Sequence, residues 1–345
     1  MLPLGGNENP YQLLTRTGLQ ETDIEVVDGA TGRWFAFLRT QFLHRPSFIH
    51  LDWLHSYYLS NHPGLTVLRV LSLYLEIWLI RLCGIRIVWT VHNLYPHDRP
   101  VTSWQTRLRK TFARACYRIR IFSNVTRSEV INHFGVSDSI LTVIPEGSYS
   151  GFYPNTINRK EARRMFDISE KDFVFLYLGS MRRYKGIVEL IEAFGRLPLT
   201  LRPRPRLLLA GGGNEPDLMN EIRNRAQRVE GVLLHDQFVP EERIQLYYAA
   251  ADVVVLPFKR ITNSGSVILA MTFGKAVLTR NAGAVSTRLC QQKEWLYDRD
   301  DELFAQLERA VKTPSEIFTA IGAVNRIEVE QYQWSDLGRY LQKLA

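Results

Sequence analysis

From Phe173 onward the chain reads as short apolar runs set between helix-like stretches: FVFLYLGS, RLLLAGGG, GVLLHDQFV, DVVVLPF and KAVLTR. Apolar runs without polar alternation suit strands buried on both faces, as in a parallel sheet covered by helices. This predicts a doubly wound α/β domain. The first half repeats the pattern more loosely, with IEVVD, SFIHLDW, IRIVWTVHN, RIRIFSN and LTVIPEG as strands and helices near Leu65–Cys83, Ser103–Tyr117 and Arg127–Phe134. A second parallel sheet is expected there, and the join falls between Tyr149 and Asp167, where the chain is polar and then helical.

A chain of 345 residues suits two cores of roughly 150 residues each. The expected division is a first domain over 1–160, a second over 161–325, and a C-terminal helix over 326–345 that packs back on the first. An apolar share of 46% and a charged share of 23% are those of a packed protein and exclude a disordered one. Cys83, Cys116 and Cys290 are far apart and form no C-x-x-C pair, so neither a disulfide framework nor a thiolate metal site is expected. A reducing, cytoplasmic setting fits. The opening MLPLGGNENPYQLL lacks the basic start and apolar core of a secretory signal.

Leu65–Cys83 is the most hydrophobic window, but Arg69, Glu76 and Arg81 interrupt it, so it is expected to be buried or to skim a membrane rather than cross one. Between Arg99 and Arg127 basic residues accumulate with no acid after Asp98; Trp104, Leu108 and Phe112 mark one helix face and Arg107, Lys110 and Arg114 another. Such a face is either simply solvated or meets an anionic membrane surface. Nucleic acid is not expected, because no aromatic residues interleave with the charges as a base-stacking platform requires.

Open parallel sheets bind ligands beyond the carboxyl ends of their strands, and two such domains facing each other form a cleft. Three strand ends in the second half suit an anion. YLGSMRRYKG leads from a strand through Arg182, Arg183 and Lys185 into a helix. LLLAGGG ends in glycines, among them Gly212, that let backbone approach a ligand. DVVVLPFKRITNSGS ends in Asn263, Ser264, Gly265 and Ser266 at the mouth of an uncharged helix, where exposed N–H groups and hydroxyls form an anion cradle; Ser264 also suits a helix N-cap. Together they suggest a nucleotide diphosphate.

G-x-M-R-R-Y-K-G at Gly179–Gly186, LLLAGGG, HDQFVP at His235–Pro240, and ADVVVLPF followed by SGSVILAMTFGKAV resemble the donor domain of GT-B glycosyltransferases of the family 4-like group. The likeness runs in order from Phe173 to about Cys290, and is carried more loosely in the first half by NPYQLL and VWTVHNLYPH. It implies the GT-B fold: two Rossmann-like, doubly wound parallel-sheet domains facing a cleft, with a nucleotide sugar bound by the second and an acceptor by the first. By position, Lys185 and Arg182 would hold the diphosphate, Ser264, Gly265 and Ser266 would cradle its distal phosphate, and the loop at Phe238–Glu242, with Val239, would approach the base. Asn9 and Tyr11 would contact the acceptor, with Asn93 a further substrate contact. Before the N-P-Y loop only MLPL stands where the family has a first strand, so that strand is expected to be shortened or to begin upstream.

Two departures from the family bear on mechanism. Where many retaining members carry glutamates in the last motif, this chain has Ile261 and Leu269, and the arginine usual after the strand glycine is Ser180. The missing helix glutamate suggests inversion, which needs a general base on the acceptor side. His92 is the first candidate, with Asp52 and Asp98 as rivals. No cofactor or metal is expected; the D-x-D at Asp298–Asp300 lies outside the phosphate loops. The expected activity is sugar transfer from a nucleotide sugar, GDP-mannose or a UDP-sugar, to a lipid-linked or saccharide acceptor in surface-polysaccharide synthesis, peripheral to the inner face of the plasma membrane. The first preference follows an overall likeness to bacterial exopolysaccharide mannosyltransferases. A non-catalytic scaffold of the same fold and a retaining transferase are the alternatives.

Overall fold

The computed structural model describes every residue except 3–9, 95–101, 199, 261 and 345. The chain divides into two compact units, one of residues 1–146 with 333–345 and the other of residues 147–332. The expected contact Asn9, the rival base Asp98 and the motif position Ile261 lie outside the described residues.

The first unit contains α1 (Tyr11–Gln20), α2 (Ala36–His44), β1 (Ile49–Leu51), α3 (His55–Tyr58), α4 (Pro63–Leu82), β2 (Ile87–Thr90), α5 (Ser103–Ala113), β3 (Arg118–Ile121), α6 (Arg127–Phe134) and β4 (Leu141–Val143). The four strands form a parallel sheet in the order β1-β2-β3-β4. Strand alternation sorts its side chains to two helical layers. Ile87 and Trp89 join a core with Leu73, Ile77, Leu108 and Phe112, while Val88 joins Leu19, Leu337 and Leu341. The last two belong to α15 (Asp336–Gln342), which packs on α1.

IEVVD, residues 24–28, forms no strand. The edge beside β1 is taken instead by Leu2, which bridges Leu51 in parallel; its N–H donates to His50 O at 2.9 Å and its carbonyl accepts from Asp52 N–H at 3.0 Å. Ile24 and Val26 then contribute only as side chains packed in the α1–α15 layer.

The basic run separates by burial. Arg109 is buried, its guanidinium over the rings of Trp89 and Phe134 and donating to Asn93 O at 2.7 Å. Arg120 is also buried, donating to Ile144 O and Pro145 O, both at 2.9 Å. Arg107 and Arg114 stay exposed and Lys110 half-buried.

The apolar window becomes α4, and no described helix is long and apolar enough to cross a membrane. Its one acid, Glu76, is 2% exposed and caps α2: Oε1 accepts from Phe37 N–H at 2.7 Å and Leu38 N–H at 3.0 Å. A carboxyl at a helix amino end meets favourable N–H dipoles.

The second unit contains α7 (Arg159–Met165), β5 (Phe173–Leu178), α8 (Ile187–Gly195), β6 (Pro205–Ala210), α9 (Pro216–Arg228), β7 (Val232–His235), α10 (Glu241–Ala250), β8 (Val253–Leu256), α11 (Gly265–Thr272), β9 (Ala276–Arg280), α12 (Gly283–Arg288), β10 (Leu296–Tyr297), α13 (Glu302–Lys312) and α14 (Ser315–Glu330). Its six parallel strands lie in the order β10-β9-β8-β5-β6-β7. The chain winds outward from β5 to β7, then returns to the other side of β5 with β8. The switch between β5 and β8 is where such a sheet opens a crevice at its carboxyl edge. At the opposite edge Arg163, fully buried, donates to Asp252 Oδ2 at 2.7 Å and to the carbonyls of Ala250, Ser169, Glu170 and Asp172, so this buried charge is compensated.

Burial, opposed by the two N–H donors, raises the Glu76 carboxyl from the ordinary glutamate range to about 7. The folded chain therefore holds a proton that the unfolded chain releases between roughly pH 4.5 and 7, and stability falls as pH rises through that window. Glu76→Gln keeps an acceptor for the α2 amides and removes the titration. Denaturant melts at pH 5 and pH 8 should differ less in the variant than in the parent, by about 2–3 kcal/mol; an unchanged difference would show that Glu76 does not drive it.

Candidate functional site

In the second unit, the backbone at the carboxyl ends of β5, β6 and β8 is drawn together by glycines. Gly211, with φ +139°, sits so close to β5 that a Cβ would lie 2.0 Å from Gly179 O. Gly186, with φ +71°, sits where a Cβ would lie 2.1 Å from Pro257 O. The β5–β6 ends are also tied by Met181 N–H donating to Gly212 O at 2.7 Å. No other residue type tolerates both the dihedral and the approach.

This close packing gathers side chains. Lys185 Nζ and Ser266 Oγ each lie 3.5 Å from the point where a Cβ on Gly179 would stand. A cation from the β5 loop and a hydroxyl from α11 thus converge on one strand end. Arg182 is half-buried in the same loop, whereas Arg183 turns outward to Glu215 and Glu221 at 3.7 and 3.4 Å. Ser264 caps α11, its Oγ accepting from Val267 N–H at 3.4 Å, and Asn263, Gly265 and Ser266 are half-buried around that first turn. The N-cap use of Ser264 is therefore real; it leaves the N–H groups of Gly265 and Ser266 at the start of the helix, where anions are favoured. Leu269 lies one turn further along α11.

Gly212 lies beside the loop after β7, a Cβ there meeting Phe238 N at 3.5 Å. In that loop Val239 is buried, which leaves its backbone rather than its side chain for ligand contact, and Phe238 is 61% exposed. The D-x-D acids are engaged elsewhere: Asp300 pairs with Arg280 at 2.9 Å and Asp298 accepts from Asn281 at 3.1 Å. Among the described residues no group of three or more His, Cys, Asp or Glu is placed to hold a metal.

In the first unit the carboxyl ends of β1 and β2 bring Asp52 and His92 together. Their separation of 40 residues becomes a hydrogen bond of 3.0 Å from His92 Nε2 to Asp52 Oδ1. Asp52 has no exposed side-chain surface, and its Oδ2 accepts from Gln12 Nε2 at 3.2 Å. Burial alone would raise its carboxyl, but His50, the bond from His92 and the Gln12 amide outweigh it and hold the carboxyl below its usual range. Asp52 is therefore ionised at neutral pH and can only accept, so His92 presents Nε2–H to it.

The His92 ring is held on several sides. It stacks on Trp53 at 5.0 Å between centroids, meets Tyr11 edge-on at 4.7 Å, and lies 5.3 Å from Phe122. His50, pushed down to about 4 mainly by burial, is neutral and bonds Thr90 Oγ1 at 2.8 Å, with Asp52 3.8 Å away.

Tyr11 requires a correction as an acceptor contact. It is 2% exposed, its hydroxyl accepts from Arg120 at 3.1 Å, and its ring also packs on Trp334, so it supports His92 from inside the fold. Asn93 is half-buried with its carbonyl held by Arg109. Gln12 and Trp53 carried no signal in the sequence; only the neighbours Tyr11 and Asp52 pointed to their segments.

Residues 158–318 match the family model described as Glycosyl transferases group 1, and residues 32–148 match Glycosyltransferase Family 4. The chain is 24% identical over 274 residues to the GDP-mannose:glycolipid 4-beta-D-mannosyltransferase of Xanthomonas campestris pv. campestris, covering 79% of this chain and 70% of that one. It is 27% identical over 172 residues to the O-antigen chain mannosyltransferase B of Escherichia coli, covering 49% and 44%. Among solved structures, sucrose-phosphate synthase from Thermosynechococcus elongatus aligns with a TM-score of 0.69 at 18% identity, over 99% of this chain and 80% of that one. Anabaena HepE, solved with UDP-glucose, aligns with a TM-score of 0.67 at 16% identity, over 95% and 88%. With both family models matched in tandem and two parallel-sheet α/β units in place, the chain is a GT-B glycosyltransferase of the group 1, family 4-like type.

Proposed function

We propose that the protein transfers a sugar from a nucleotide-diphosphate donor to a lipid-linked saccharide with inversion at the anomeric carbon, His92 acting as general base. The observation that carries this reading is the His92–Asp52 pair at the strand ends of the first unit. GDP-mannose is the preferred donor because the Xanthomonas relative is named for it; a UDP-sugar is the second choice, since HepE was solved with one. That relative's name also specifies a β-mannoside formed on a glycolipid.

The acceptor hydroxyl gives its proton to His92 Nδ1 as its oxygen bonds the anomeric carbon and the bond to the diphosphate breaks. Asp52 stabilises the imidazolium that forms and fixes the ring through Nε2. Negative charge that develops on the leaving diphosphate is met by Lys185, Arg182, the hydroxyls of Ser264 and Ser266 and the first amides of α11, without a divalent ion. Gly212, Asn263 and the Val239 backbone complete the donor site, and Asn93 contacts substrate. The reaction is placed at the inner face of the plasma membrane, where the exposed basic face of α5 meets anionic lipid through Arg107, Lys110 and Arg114.

Thermal-shift titration with GDP, UDP and ADP, with and without chelator, should give chelator-insensitive stabilisation by one of them, of about 2–3 kcal/mol at a hundredfold excess over Kd. Lys185→Ala should weaken it by about tenfold or more. A folded chain that binds none of the nucleotides would point to a non-catalytic scaffold.

His92→Ala should lower kcat by about 100-fold or more with the donor KM little changed, and Asp52→Asn should lower kcat less. Normal turnover by His92→Ala would remove it as the base. NMR of the product should show the configuration opposite to that of the α-linked donor; an α product would establish retention.

A further inference from the structure

Helix α4 exposes an apolar stripe along one face. Leu68, Leu71, Leu75, Trp78 and Leu82 are 57%, 61%, 49%, 59% and 69% exposed, spaced three and four residues apart, while Leu73, Ile77 and Ile80 are buried on the opposite side. The stripe runs roughly 20 Å along a helix of about 30 Å. Large contiguous apolar faces are rare on monomers and mark a partner. Helix α2, packed on α4, adds Phe42 and Leu43 at 76% and 66% exposure.

Charge selects the partner. Residues 29–128 contain 14 Arg or Lys and only three acids, Asp52, Glu76 and Asp98, a surplus of 11 that exceeds the surplus of 8 in the whole chain. Asp52 and Glu76 are both buried. Arg81 is exposed and Arg69 half-buried on α4 itself, and α5, which packs on α4, exposes Arg107 and Arg114. The three-and-four spacing would also suit a coiled-coil seam, but a second copy would oppose arginine to arginine, with no exposed acid on α2, α4 or α5 to receive it. An anionic bilayer satisfies both features, taking the apolar stripe below the headgroups and the cations among them.

We infer that α4 is a membrane-inserting element: it lies flat in the interface of an anionic bilayer, with Leu68, Leu71, Leu75, Trp78 and Leu82 entering the acyl boundary. This rests on the membrane reading given above and deepens it from surface attraction by α5 to insertion by α4. The stripe anchors, and the α5 cations confer preference for acidic lipid.

The full chain is sedimented with vesicles of phosphatidylcholine alone or with added phosphatidylglycerol. Partitioning to the anionic vesicles is expected, falling about tenfold or more in Leu71→Asn/Leu75→Asn/Trp78→Asn with circular dichroism and nucleotide titration unchanged. In Arg107→Gln/Lys110→Gln/Arg114→Gln, preference for phosphatidylglycerol and sensitivity to salt should diminish. Parent-like partitioning of the Asn variant would overturn the inference. So would a parent that ignores vesicles and sediments as a dimer which the Asn variant dissociates, because a second copy would then cover the stripe. Loss of nucleotide binding with vesicle binding intact would count against the transferase reading while still supporting insertion.

Discussion

The second unit of this protein depends on backbone being allowed to touch backbone at the carboxyl edge of its sheet. Gly211 lies against Gly179 O and Gly186 against Pro257 O, each with positive φ and with no room for a Cβ. Because β5 lies between β6 and β8, these contacts draw three loops toward one strand end. The convergence of Lys185 and Ser266 near Gly179 follows from that spacing. A methyl group at Gly211 would push the β5 and β6 ends apart, and the polar groups above them would lose their common target.

The first unit solves a different problem with the same kind of sheet. In the proposed reaction a base must be accessible, whereas the carboxylate that orients it must not exchange its imidazole for water. Parallel pairing of β1 with β2 sets Leu51 opposite Trp89, so the residues that follow emerge side by side. Asp52 stops at the fully buried level and His92 reaches two residues further out, keeping 14% of its side chain exposed. The aromatic rings of Trp53, Tyr11 and Phe122 restrict the imidazole at little cost in polar desolvation.

What could be read in the sequence was whatever a short window contains. Unbroken apolar runs gave the strands from β5 to β9, and glycines with nearby serines and lysines gave the strand-end loops. IEVVD has the same local character as a strand, but the edge it would occupy is taken by Leu2, and no window contains that competition. Asp52 and His92 could each be placed at a strand end, yet their bond depends on which strands are neighbours. Tyr11 was legible as part of a motif but not as buried, because its burial is imposed by Arg120 and Trp334, far away in the chain. Gln12 reaches Asp52 for the same long-range reason.

Burial also separates basic residues that sequence counts as one population. Arg109, Arg120 and Arg163 are internal cross-links whose N–H groups donate to carbonyls, so mutation there would act through folding. Arg183 and Lys259 are taken up by acids on neighbouring helices, Glu221 and Glu189 among them. Among the described residues, cations border a strand end at the mouth of α11, with Lys185, and face outward on α4 and α5, with Arg81, Arg107 and Arg114. Local placement, rather than total charge, distinguishes the two places: at the first, polar donors converge within a few ångströms of one strand end, and at the second, cations border an apolar stripe.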